Sequence, residues 1–110
     1  MTKATISAGV CGFVATVEAV AEGSHCRLVV ESDCRSIQRL GSELKSVDPL
    51  QEIAFGKGLP LTYQIAVKHC AHAACPVPAG IIKAIEVEAG LALPADVSIR
   101  VTAFKEDSNI

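Results

Sequence analysis

Cysteine and histidine are the side chains best suited to chemistry in this sequence: five of the first and three of the second in 110 residues. The densest cluster is His69-Cys70-Ala71-His72-Ala73-Ala74-Cys75-Pro76. Two further thiols, Cys11 and Cys34, lie at a predicted strand end and a predicted helix start, and the fifth, Cys26, lies inside an alternating apolar run. An odd count leaves one thiol over from any closed set of disulfides. Four thiolates at Cys11, Cys34, Cys70 and Cys75 would suit a tetrahedral zinc ion or an iron–sulfur cluster, with His72 as a substitute ligand. Without a metal, the same residues point to thiol redox chemistry. Cys75 and Cys34 are then the nucleophile candidates, because both fall where a helix is expected to start and backbone N–H groups would face an anionic sulfur. Cys70 or Cys11 would resolve, and either Cys11 with Cys34 or Cys70 with Cys75 could instead form a disulfide.

The elements that must position these residues follow from periodicity. Phe13 to Val20 alternates, with Phe13, Ala15, Val17 and Ala19 on one face. His25 to Ser32 alternates again, and Gly23 between them supplies the turn, so the two runs form a β-hairpin. With Glu22 and Gly23 as the loop, Ala19 faces Cys26, Val17 faces Leu28, Ala15 faces Val30, and Glu18 meets Arg27 as an opposite-charge pair. Extended to the open end, this register sets Cys11 opposite Cys34. It also puts Cys26 in the core, the ordinary place for a free cysteine.

Ser32-Asp33 reads as the cap of a first helix carrying Ile37, Leu40, Leu44 and Val47, stopped at Asp48-Pro49, with Cys34 its first residue. Leu50 to Gly58 is a loop or a short helical turn. Pro60 opens a second helix running to about His69. Pro78 opens a third, with Ile81, Ile82 and Ile85, ended by Gly90. Val97, Ile99 and Val101 alternate with Ser98, Arg100 and Thr102 as a last strand, and Ala4 to Ala8 reads as a weak first one. The expectation is an α+β fold of one domain over residues 1–110: an N-terminal β-hairpin, three helical segments and a C-terminal strand, the helices packed on one face of a small sheet.

Other constellations are poor. Gly56-Lys57-Gly58 lacks the ending of a phosphate-binding loop. Glu86 and Glu88 are two apart on a helix and face differently. His69 suits a helix end, and His25 a solvated strand face. A net charge of −2 and an aromatic content of 4% exclude an electrostatic or base-stacking nucleic-acid binder. No apolar run is long enough to cross a bilayer, and Met1-Thr2-Lys3-Ala4 does not open a secretory signal, so a cytoplasmic protein is expected. The aliphatic composition, with a mean hydropathy of +0.40, would suit a homodimer that buries part of a helical face.

Val10-Cys11-Gly12-Phe13, Glu31-Ser32-Asp33-Cys34, Lys68-His69-Cys70 through Cys75-Pro76-Val77-Pro78, and Lys83 to Gly90 together resemble a family of small uncharacterised proteins found mainly in anaerobic bacteria and archaea. The resemblance implies that Cys11, Cys34, Cys70 and Cys75 carry the pattern, and it supplies no activity. Cys75-Pro76-Val77 between two helices is also similar to the second-cysteine motif of the organic-hydroperoxide reductases, a resemblance that implies peroxide-reducing chemistry as an alternative. This chain is shorter than that fold and lacks its long central helix.

Overall fold

The computed structural model describes residues 1–105. Three successive strands, β1 (Thr2–Ser7), β2 (Val14–Glu22) and β3 (His25–Ser32), form an antiparallel meander, and a short β4 (Ser46–Val47) pairs along the outside of β3. Four helices accompany them: α1 (Arg35–Glu43), α2 (Pro49–Glu52), α3 (Leu61–His69) and α4 (Val77–Glu88). The α+β expectation is met, with the short helical turn after Pro49 as a fourth helix.

One face of the sheet builds the core. Ala15, Val17 and Ala19 of β2 and Cys26 and Leu28 of β3 are buried, and they meet Ile37 and Leu40 of α1, Ile65 of α3, and Ile81 and Ile85 of α4. On the outer face, Arg27, Val29 and Glu31 of β3 are exposed. Two glycines let helices approach closely. A Cβ on Gly41 of α1 would stand 2.8 Å from the Val30 carbonyl oxygen, and one on Gly80 of α4 would occupy the place of the Ile6 side chain. At the other end of α4, Glu88 accepts hydrogen bonds from the Thr2 hydroxyl (2.8 Å) and the Ala21 N–H (2.9 Å). Helix α4 therefore runs antiparallel to β1, its start beside Ile6 and its end beside Thr2.

The hairpin register differs from the sequence expectation by two residues. Val17 faces Val30, Ala19 faces Leu28, and Ala21 faces Cys26, because Gly23-Ser24 is the loop. Gly23 has φ +61°, and a type II′ hairpin turn places its glycine first of the two central residues, not second. A shift of two preserves the faces, so Ala15, Val17, Ala19, Cys26 and Leu28 stay inside, whereas Phe13, expected on the same face, lies in the loop before β2 and is exposed. Arg27 now lies opposite Val20, and its ion pair is with Glu22, 3.1 Å away, not with Glu18. Cys11 and Cys34 are not strand partners either: β2 begins at Val14, and Ala8–Phe13 is a loop.

Three further expectations are corrected. The first helix stops at Glu43, because Lys45, Ser46 and Val47 turn to hydrogen-bond along β3; Val47 keeps its burial as a strand residue. Cys34 is itself the N-cap of α1, its carbonyl accepting from the Gln38 N–H. Ser32 belongs to β3 and binds the Val14 carbonyl and the Cys34 N–H instead of capping the helix. The expected C-terminal strand is absent: Val97, Ile99 and Val101 keep the strand pattern but pair with nothing among the described residues, and they are 64%, 79% and 89% exposed. Among the described residues no helix is long and apolar enough to cross a membrane.

Candidate cysteine-lined site

The antiparallel order brings three separate stretches to one end of the sheet. Ser7 faces Val14 where β1 and β2 join, and Ala15 faces Ser32 where β3 ends, so the Ala8–Phe13 loop and Asp33-Cys34 emerge together. The start of α4 beside Ile6 carries the α3–α4 connection, Cys70 to Pro76, to the same end.

Each stretch has a local reason for its shape. Gly9 and Gly12 both adopt positive φ (+92° and +77°), and hydrogen bonds from the Ala8 N–H to the Phe13 carbonyl and from the Gly12 N–H to the Gly9 carbonyl close the loop around Cys11. At the top of α1, the Ser32 hydroxyl fixes the backbone just before Cys34. Cys70 caps the C-terminus of α3, its N–H reaching the Ala66 carbonyl at 2.8 Å. The Cys75 N–H turns back to the His72 carbonyl at 3.3 Å before Pro76 starts α4. His69 sits outside this group, its Nε2 2.7 Å from Glu43 Oε1.

A cavity of about 380 Å³ opens where these stretches meet, and Cys11, Cys34, Cys70, Cys75 and His72 all line it. Ala8, Val10, Phe13, Ala71, Ala74 and Val77 supply its apolar wall, and Ser32 and Ser36 add hydroxyls. Among the described residues no Asp, Glu, Lys or Arg lines it. Cys11 is exposed at the lip, whereas Cys34, Cys70 and Cys75 are partly buried. Burial, helped by the neighbouring Cys75 and then Cys34, pushes the Cys70 thiol up to about 11. Among the described residues no three His, Cys, Asp or Glu side chains are grouped as they would be around one metal ion. Cys26 is apart from this group, 1% exposed in the core, where burial raises its thiol as well. His25 is exposed at the hairpin turn, beside the Ser24 hydroxyl.

Sequence reasoning located the cysteines but not the wall. The small residues Ala71, Ala73 and Ala74 between Cys70 and Cys75 are the visible signal of a segment that leaves space. The other carboxylates with clear roles are structural. Glu52, 2% exposed, accepts from the Leu61 N–H, the Thr62 N–H and the Thr62 hydroxyl at the start of α3.

A small α+β domain with cysteines gathered at one end of its sheet is the class these features define. By comparison with known families, residues 2–101 match the one described as "Family of unknown function (DUF6951)", and the chain belongs to that family. No curated protein and no solved structure matches the chain.

Proposed function

We propose that the protein holds an iron–sulfur cluster through Cys11, Cys34, Cys70 and Cys75. The observation that carries this reading is that four cysteines from three distant stretches line a single apolar-walled cavity. Cysteine thiolates are the usual ligands of such clusters. A cluster spreads its ligands over several metal atoms, so they stand further apart than around one tetrahedral ion. The four thiols come from three separate stretches, an arrangement that a cluster with several metal atoms accommodates more readily than one tetrahedral zinc ion. A largely apolar wall suits a group whose potential depends on limited solvent access. Binding would require Cys70 to lose a proton that burial makes it hold, so loading releases protons and strengthens with rising pH.

The test is anaerobic purification followed by visible absorption and by iron, sulfide and zinc analysis. The expected result is a brown protein with iron and acid-labile sulfide. Both should be lost in Cys11→Ser, Cys34→Ser, Cys70→Ser and Cys75→Ser, and kept in Cys26→Ala. One zinc per chain without sulfide would replace the cluster by a zinc site.

A second reading is thiol redox chemistry, with Cys75 or Cys34 as nucleophile and Cys70 as resolving partner. It draws on the closeness of Cys75 and Cys34 to Cys70, near enough to act on its ionisation. A colourless, metal-free protein in which Cys70 and Cys75 oxidise to a disulfide would favour it.

A further inference from the structure

The segment after α4 combines strand chemistry with the lack of a strand's surroundings. Val97, Ile99 and Val101 alternate with Ser98, Arg100 and Thr102. Leu93, the three alternating residues and Phe104 are all largely exposed, at 64% to 89%. Aliphatic residues at period two make one apolar edge, which a lone extended segment leaves in water.

The exit from α4 is built, not slack. Gly90 adopts φ +75°, the Gly90 N–H reaches the Val87 carbonyl, and the Leu91 N–H reaches the Glu86 carbonyl at 2.8 Å. This paired arrangement is the Schellman helix ending, which fixes the direction in which the chain leaves. Pro94 stiffens the next few residues. The molecule is accordingly drawn out to 59 Å along one axis against 29 and 25 Å along the others.

One sheet edge is open and of matching length. Among the described residues β1, Thr2–Ser7, pairs only with β2, and the inward side chains of its six residues are Thr2, Ala4 and Ile6. At the opposite edge, β4 holds the start of β3, and α1 is packed against Val30. The family match runs through residue 101, so Val97 to Val101 lie within the shared region.

We propose that residues 97–102 add as a fifth strand to the β1 edge of a second copy of this chain, which returns its own segment in exchange. Val97, Ile99 and Val101 then continue the apolar face of Ala4 and Ile6, and the open edge of each copy is capped. An uncovered edge strand and an uncovered apolar strand are both association hazards, and reciprocal exchange pairs the first and buries the apolar side of the second. The inference is independent of what the cysteine cavity holds.

Light scattering and amide hydrogen exchange on the full chain test this. A dimer is expected, with residues 97–102 and Thr2–Ser7 protected together. Ile99→Lys should give a monomer that loses protection at both segments, whereas the outward Ser98→Lys should stay dimeric. Because Ile99 is exposed in the single copy, a folded Ile99→Lys monomer is the expected form, and its circular dichroism reports this directly. A wild-type monomer overturns the exchange. So does a dimer indifferent to Ile99→Lys, which would use another surface. Protection of residues 97–102 at monomer mass would show the segment folding back onto its own β1 and would overturn it too.

Discussion

Cys75 helps to keep the Cys70 thiol protonated. Burial is the larger cause and Cys75 the next, and together they lift Cys70 from an ordinary 9.0 to about 11. In metal-free protein, alkylation of Cys70 followed against pH should therefore have its midpoint near 11. In Cys75→Ser the midpoint should fall, yet stay above 9.0 because burial remains. A wild-type midpoint at the ordinary value would mean that water reaches the cavity floor freely.

The same shift links stability to alkaline pH. Cys70 binds its proton more tightly when folded, so its contribution is complete below about 9 and is lost as pH rises through about 11. Thermal melts of metal-free protein should show a decline over that range that is smaller in Cys70→Ala. Cys26, also raised by burial, adds to the wild-type decline and remains in the variant.

Glu88 fastens the end of α4 to the first two strands. The Ala21 N–H, then the Thr2 hydroxyl, and the N-terminal ammonium 3.4 Å away hold its carboxylate below the ordinary 4.5. A lowered folded value means that the contribution is intact above 4.5 and fades as pH falls through the folded value. Glu88→Gln should cost about 1–2 kcal/mol at neutral pH, the scale of hydrogen bonds to a charged group. Its deficit against wild type should shrink in acid. Glu43→Gln, at an exposed carboxylate lowered by Lys68 and His69, should cost less.

Glu52 is the start signal of α3. It satisfies two of the free N–H groups of that helix and the Thr62 hydroxyl from a buried position. Glu52→Ala should destabilise by about 2–3 kcal/mol, since it leaves buried donors unpaired. Urea unfolding measures this, and a loss below about 0.5 kcal/mol, the ordinary surface scale, would show that water replaces the carboxylate.

Gly41→Ala sets helix propensity against space. Alanine favours a helix by up to about 1 kcal/mol over glycine. Here its Cβ would lie 2.8 Å from the Val30 carbonyl oxygen, a backbone atom that cannot rotate away. Overpacking of about 1–3 kcal/mol should win, and the variant should melt lower than wild type.

How far the sequence could be read depended on whether a feature was local. The alternation in Phe13–Val20 and His25–Ser32 fixed which side chains face inward, since parity survives a shift of two. It could not fix the register, which hung on whether Gly23 was the first or second turn residue. β4 was illegible because two residues carry no period; only the edge of β3 makes Ser46–Val47 a strand. Val97–Thr102 erred the other way: its pattern is that of a strand, but a pattern does not say that a partner lies within reach. For the cavity, placing Cys34, Cys70 and Cys75 at element ends was enough to gather them. Cys11 arrived by a different route, on a glycine-shaped loop and not on a strand facing Cys34.

The cavity has one lip made early in the chain and another made late. Cys11 and Cys34 leave the ribosome well before Cys70 and Cys75, and the pocket closes only when α4 settles against β1. Any occupant that grips both lips therefore finds its full set of ligands only in the folded chain, so its binding is coupled to folding. Once in place, such an occupant would tie the two lips together across a long stretch of chain whose closure is costly in entropy. Stripping it out should free the Ala8–Phe13 loop before it disturbs the hairpin, so damage to the site would spread from its lip inward.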